Sequence, residues 1–353
     1  MKAFVIPGLT RSGHTSRLLL TFGMIALLAG CGYNPVYQTT GAVFAGYSES
    51  EATPYVLQMG DADMACDLGR SLDPLVYSFS RVTDRPDTTG SLLQLLAANC
   101  SEQQAWEQEL RYERAIFNDD VPEAKDARTA AKRWHELTAK RRLEAFNRAM
   151  RAYEYDPADP EAECPFLYAD QDELTFLLGL LTGLQAIIND TNSGGAAGVP
   201  KDIAPQAERA AQCLDNEKWG GLPNAIRANV WLLLPDTRPM MSPDPWRLLK
   251  NSSELGVEAG FRASMALEAV AGETAGRRDV IEDVIRRFDA AESTIQVSED
   301  YRLVDQVGRN VITHVSDKLW TREYGYRTPA AYFGQLSPES SSDTETMDLD
   351  DLL

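Results

Sequence analysis

Apolar residues recur at helical spacing along most of this chain. Leu68, Leu72, Leu75, Phe79 and Val82 repeat at four and three, which predicts one face of a helix. Pro74 falls inside that stripe, so either Asp73 caps a new helix or one helix kinks; the unbroken phase favours the kink. Leu92, Leu93, Leu95 and Leu96 predict a short helix ending near Asn99-Cys100. Ser101-Glu102-Gln103-Gln104 then has the form of a capping box, so a new helix should carry Trp106, Leu110 and Phe117. The longest helix is expected from about Pro122 to Tyr153, with Ala139, Leu143, Phe146, Met150 and Tyr153 in register. From Leu174 to Ile188 the chain is apolar on nearly every face, the mark of a helix wrapped by others. Further helices are predicted at about Pro205–Asn216, Leu222–Leu234, Pro245–Gly272, Arg277–Ala291 and Asp300–Trp320.

No sustained strand-like alternation occurs, so the fold class is expected to be all-α, antiparallel helical hairpins arranged as a solenoid or bundle. The helical domain is expected over residues 54–335. Residues 31–53 carry no sustained period and read as a flexible tether with a reach of roughly 25 Å. From 336 to 353 the composition turns to Ser, Thr, Asp and Glu, an acidic tail expected to be disordered.

The first thirty residues have a separate logic. Lys2, Arg11 and Arg17 precede an apolar run that begins at Leu18 and closes on Leu28-Ala29-Gly30-Cys31. Charged start, short greasy middle and small-residue exit together predict a secretory signal over residues 1–30. A transmembrane helix is the competing assignment, but the clean apolar run is about half the roughly twenty residues that a span needs. Leu28–Cys31 resembles the bacterial lipobox. That resemblance implies cleavage before Cys31, acylation of its thiol and new amino terminus, and a membrane anchor built from two or three acyl chains. It implies a cell-envelope location facing the periplasm. Gly32, where an Asp would favour retention in the inner membrane, leans towards the outer one.

Charge narrows the partners. The chain has 34 basic and 53 acidic side chains and a net charge of −19; removing three cations with the signal leaves −22. Such a surface repels phosphate backbones, so nucleic acid is excluded as a natural partner. Of five cysteines, Cys66, Cys100, Cys164 and Cys213 remain beside Cys31, an even set suited to disulfides in an exported chain. Three pairings exist, and buried free thiols are the alternative. Cys66–Cys100 and Cys164–Cys213 are favoured because each pair joins helices of one local unit. Zinc is disfavoured because no two of these four lie a few residues apart.

Catalytic signatures are scarce. His135 and His314 are the only histidines after the signal, and His135-Glu136-Leu137-Thr138-Ala139 lacks the second His of a metalloprotease helix. No nucleophile elbow occurs. Asp170, Asp172 and Glu173 cannot be told from surface carboxylates. The expectation is therefore no enzyme and no cofactor, with a carboxylate-dependent hydrolase as an alternative. Ser193-Gly194-Gly195-Ala196-Ala197-Gly198 lacks the Lys of a phosphate loop and reads as an interhelix loop. Lys125, Arg128, Lys132, Arg133, Lys140, Arg141, Arg142, Arg148 and Arg151 make the long helix basic, read as a salt-bridged face rather than an anion site. Trp219, Trp231 and Trp246, near predicted helix ends, are candidate partner anchors, with core burial the competing assignment.

Arg148 through Glu161, with Ala149, Tyr153, Asp156-Pro157 and Asp159-Pro160, resembles the end of the second helix of a tetratricopeptide repeat. Leu178-Gly179-Leu180-Leu181 resembles the centre of a first helix. Ala149 and Ala211 lie 62 residues apart rather than a multiple of about 34, so the repeat is diverged. A lipoprotein with such repeats is similar to the T-component lipoproteins of TRAP-type transporters over about residues 55–290. The resemblance implies a lipid-anchored periplasmic scaffold that binds a solute receptor, supports solute uptake and forms homo-oligomers around a hydrophobic pore. A general envelope-assembly scaffold is the alternative.

Overall fold

The longest helices set the frame. In the computed structural model, which describes residues 35–338, α1 (Pro35–Tyr47), α2 (Thr53–Leu57) and α3 (Ala62–Ser78) lead into α4 (Asp87–Phe117) and α5 (Val121–Ala152). Asp120 stops the chain from running straight on: its carboxylate accepts the Glu123 amide at 3.1 Å and starts α5 in the reverse direction. Ser91 Oγ donates to Ala145 O at 2.8 Å, Arg141 Nη1 to Ala97 O at 2.7 Å, and Glu109 meets His135 at 2.8 Å. Rising numbers on α4 thus meet falling numbers on α5, an antiparallel pair.

The same hand-over continues on both sides. α6 (Asp170–Ser193) lies against α5, and a Cβ at Gly179 would collide with that of Ala149. α3 lies against α4, where a Cβ at Gly69 would come within 2.6 Å of the Leu93 carbonyl oxygen. Both glycines are required by close approach of backbones. By length and composition α6 is apolar enough to cross a membrane, yet 78% of its apolar window is buried inside the protein. It forms the main core with α5, α7 (Ile203–Ala211) and α8 (Leu222–Leu233).

After α9 (Pro245–Ala259), α10 (Ala263–Thr274), α11 (Arg278–Glu292) and α12 (Arg302–Tyr324) build a second core around Met265, Ile285, Phe288 and Ile312. α12 then returns to α4, where His314 and Arg322 meet Glu109 and Glu113. That return closes the array into a ring of helices, which a linear stack of hairpins would leave open. The architecture is all-α, and no strand occurs among the described residues.

Several expectations change. Residues 35–53 are helical rather than a loose tether, so packed structure is already present before residue 54. Phe44 lies 5.9 Å from the Phe79 ring, and a Cβ on buried Gly41 would meet Thr83 and Phe79 at 2.8 and 2.9 Å. Short-range period failed to reveal this because α1 docks by a small residue and one ring. Between α1 and α2 the ladder widens into a π-turn over Ser48–Ala52, with the Thr53 amide reaching back to Ser48 O. Pro54, having no N–H, cannot continue the ordinary i−4 pattern there.

The helix predicted to end near Cys100 instead continues unbroken to Phe117. Ser101 is buried at the α5 interface, with its hydroxyl 2.9 Å from that of Thr138, and Glu102 binds Arg142 and Asn189. The would-be capping box thus serves tertiary contacts. α3 runs through Pro74 while Asp73 is spent on Gln94 and Arg148. Leu75 is exposed and Val76 buried, so the inward stripe is rotated from the expected one. The predicted helix from Pro245 to Gly272 is broken at Gly260, whose φ of +79° ends α9. Beyond the break, buried Arg262 pairs with Asp305 at 2.7 Å and Glu292 at 2.8 Å.

Candidate functional site

Ringed helices leave a space where their apolar faces do not meet. A cavity of about 160 Å³ lies between α2, α3, α4, α6, α10 and α12. Its walls are Val56 and Leu57, Leu68, Leu72 and Val76, the α4 leucines 92, 93, 95 and 96, Leu178 and Leu181, Leu267 and Val270, and Leu303, Val304, Val307 and Val311. Leu68, Leu72, Leu92, Leu95, Leu181, Val307 and Val311 are only half-buried, because their side chains edge this space. An apolar cavity of about 150 Å³ stays dry and takes benzene or xenon, so this one is large enough for an apolar ligand.

The walls carry few polar groups, and these fall at separate places. Ser48 and Thr53 at the π-turn are satisfied by the carbonyls of Phe44 and Ser48, each at 2.8 Å. Thr89 is 5% exposed and its hydroxyl has no partner. Ten residues further along α4, Asn99 faces Gln185 of α6, and both amide oxygens accept from the buried Arg142 guanidinium. Arg142 also pairs with Glu102.

A polar network continues from there away from the cavity. Glu102 accepts from Asn189 Nδ2 at 3.1 Å; the same nitrogen lies 3.2 Å from His135 Nδ1. That arrangement leaves His135 Nε2–H to donate to Glu109 Oε1 at 2.8 Å. His314 Nε2 reaches the other Glu109 oxygen at 3.0 Å, stacked on Trp106 with ring centroids 4.6 Å apart. Lys318 approaches Glu109 at 3.4 Å and also pairs with Glu273. Burial pushes the Glu109 carboxyl up, but hydrogen bonds from His135 and His314 and the charge of Lys318 outweigh it and hold the group well below the usual carboxylate range. Burial likewise lowers the Lys318 ammonium, and Glu109 and Glu273 more than reverse it. The two histidines, 179 positions apart, meet on one carboxylate that links α4, α5 and α12. Sequence reasoning missed this cluster because no local spacing relates its members.

Cys31 and the signal lie outside the described residues, as does all but the first part of the tail. The four other cysteines form Cys66–Cys100 and Cys164–Cys213, with Cα separations of 5.3 and 5.5 Å. Asp67 lies beside the first pair, but disulfide sulfurs offer no thiolate to a metal. Trp219 and Trp231 are buried rather than presented to a partner. Trp219 Nε1 donates to Glu173 at 2.7 Å, and half-buried Trp246 lies under Arg277. The most exposed large side chains among the described residues are instead Met240, Met241, Tyr168 and Phe166. In the glycine-rich loop, Asp190 accepts from the amides of Ala197, Gly198 and Val199 at 2.7, 3.3 and 3.0 Å. The chain's own carboxylate thus sits where a phosphate would. Asp170 and Glu173 bind Lys218, while Asp172 caps α6 through the amides of Tyr168 and Ala169. On α5, Lys140, Arg142, Arg148 and Arg151 are ion-paired, whereas Lys125, Arg128, Lys132 and Arg133 are exposed.

No protein-family model, curated protein or solved structure matches this chain.

Proposed function

We propose that this chain is a small-molecule-binding protein of the cell envelope, anchored through acylated Cys31, that holds an apolar ligand in the cavity walled by the α4 leucines. The carrying observation is the aliphatic lining drawn from six separate helices around a space of about 160 Å³. Each ligand methylene moved there from water gains about 0.8 kcal/mol, so six of them supply roughly 5 kcal/mol before binding costs. Two disulfides support an oxidising compartment. The lining residues between Ser48 and Leu57 come soon after Cys31 in the chain, and the intervening α1 spans about 20 Å at 1.5 Å per residue. The cavity therefore stays near the bilayer from which an apolar ligand would come. Support of solute uptake beside a TRAP-type receptor fits this reading, with the cavity as the place where the solute is held.

A protein-binding scaffold role, for that receptor or for envelope-assembly machinery, draws on the exposed Phe166, Tyr168, Met240 and Met241. Organic extraction and mass spectrometry of the purified protein test the binding reading. One apolar molecule per chain is expected from the natural protein and none from Leu95→Trp, which fills the cavity. Equal recovery from both, or from neither after incubation with membrane lipid, would remove the proposal.

A further inference from the structure

The end of the cavity at Asn99 and Gln185 is chemically selective in a way its leucine walls are not. Arg142 can only donate, so its bonds to Asn99 Oδ1 and Gln185 Oε1 turn both amide oxygens towards the guanidinium. The two NH2 groups then have no protein acceptor among the described residues, and both residues line the cavity. Arg142 is 1% exposed and its charge is answered by Glu102, so this end offers donors without surplus positive charge. An ionised carboxylate brought here would be desolvated with no counter-ion, a large cost. A neutral oxygen acceptor would satisfy both amides. An ammonium would bring only donors where donors already converge, and a hydroxyl, though its oxygen can accept, would bring an O–H that finds no acceptor between the two amides. Between this end and Thr89 the α4 wall is leucine for about 15 Å of helix.

We infer that the ligand is an apolar chain bearing an uncharged carbonyl, an ester or ketone, whose oxygen accepts from Asn99 Nδ2 and Gln185 Nε2 while the chain lies along Leu92, Leu95 and Leu96. This rests on the proposal that the cavity binds an apolar molecule, and deepens it by naming the head group. The amides read the head, and the leucines tolerate chains of different form. Their rigidity comes from Arg142, itself fixed by Glu102, so the donors are placed before the ligand arrives.

Competition binding against an apolar fluorophore, using the delipidated full chain, tests this with 2-octanone, octane, octylamine and octanoate. The natural protein should bind 2-octanone about tenfold more tightly than octane, the increment of a pair of neutral hydrogen bonds. Ionised octanoate and octylamine should bind more weakly than the ketone. Gln185→Met removes one of the two donors and should cut the ketone's advantage over octane from about tenfold to about threefold. Gln185→Glu keeps an acceptor for Arg142, and so the fold, but replaces the donor; it should weaken the ketone selectively. Equal binding of ketone and octane by the natural protein would overturn the head-group assignment alone. Tighter binding of ionised octanoate would overturn the neutral-head claim. Failure to bind octane and ketone alike would overturn the underlying cavity reading.

Discussion

Glu109→Gln is the substitution whose cost follows most directly from the buried network. In the natural protein one carboxylate accepts from His135 at 2.8 Å and His314 at 3.0 Å and faces Lys318 at 3.4 Å. The glutamine has one acceptor oxygen, so its NH2 faces one imidazole nitrogen that donates in the natural protein and must change tautomer or lose its bond, and the charge facing Lys318 disappears. Removing one member of a buried ionic set costs roughly 3–5 kcal/mol. Glu109 keeps 19% side-chain exposure and Lys318 keeps Glu273, which places the expectation near the lower bound, about 3 kcal/mol. Urea unfolding at pH 7 reads it directly. Glu107→Gln, which removes an exposed ion pair with Arg327, should cost at most about 1 kcal/mol in the same assay.

The pH dependence carries its own sign. A carboxyl held below its unfolded value stabilises fully above about pH 4.3 and loses that contribution as pH falls through the lower folded value. The gap between natural protein and Glu109→Gln should therefore be level from pH 7 to 5 and narrow below about pH 4. Lys318 runs the other way: its raised folded value contributes below about pH 10.4 and fades as pH climbs beyond it. A loss below about 0.5 kcal/mol at pH 7, or a gap that widens on acidification, would refute the reasoning.

Two further outcomes follow from local geometry. Replacing Cys164 and Cys213 together by serine opens a closure spanning 49 residues between the segment before α6 and the turn after α7, and should lower stability by about 2–5 kcal/mol in thermal unfolding. Gly179→Leu places a side chain into the backbone contact with Ala149 and should cost more than the 1–3 kcal/mol of ordinary overpacking, where Gly195→Leu in the open loop meets nothing and differs only by its backbone strain.

Helix identity was legible where one face is buried against a neighbour over many turns, as in α5 and α12, and where a long run is apolar on nearly every face, as in α6. The extent of α4 was less legible. Leu92, Leu93, Leu95 and Leu96 meet α3, α5 and the cavity at once, so their run looked like a short segment, and buried Ser101 looked like a cap. The break at Gly260 reads as an ordinary helical glycine until the Gln296 carbonyl, 2.5 Å from its would-be Cβ, is in place. Disulfide pairing was readable because each bridge closes one local unit: Cys66–Cys100 joins α3 to α4, and Cys164–Cys213 joins the segment before α6 to the turn after α7. The cavity was not, since a leucine facing a void and a leucine facing another leucine have the same spacing. Nor was the role of Arg142, which in sequence is one of nine basic residues on α5 and in space alone orients the amides of Asn99 and Gln185.

A crystal of the protein under xenon pressure tests the central claim most directly, because xenon reports an accessible apolar space without any choice of ligand. Xenon density is expected between Leu72, Leu92 and Val307, absent in Leu95→Trp crystals. Ordered waters hydrogen-bonded along those leucines, or walls collapsed so that no xenon enters, would contradict the account.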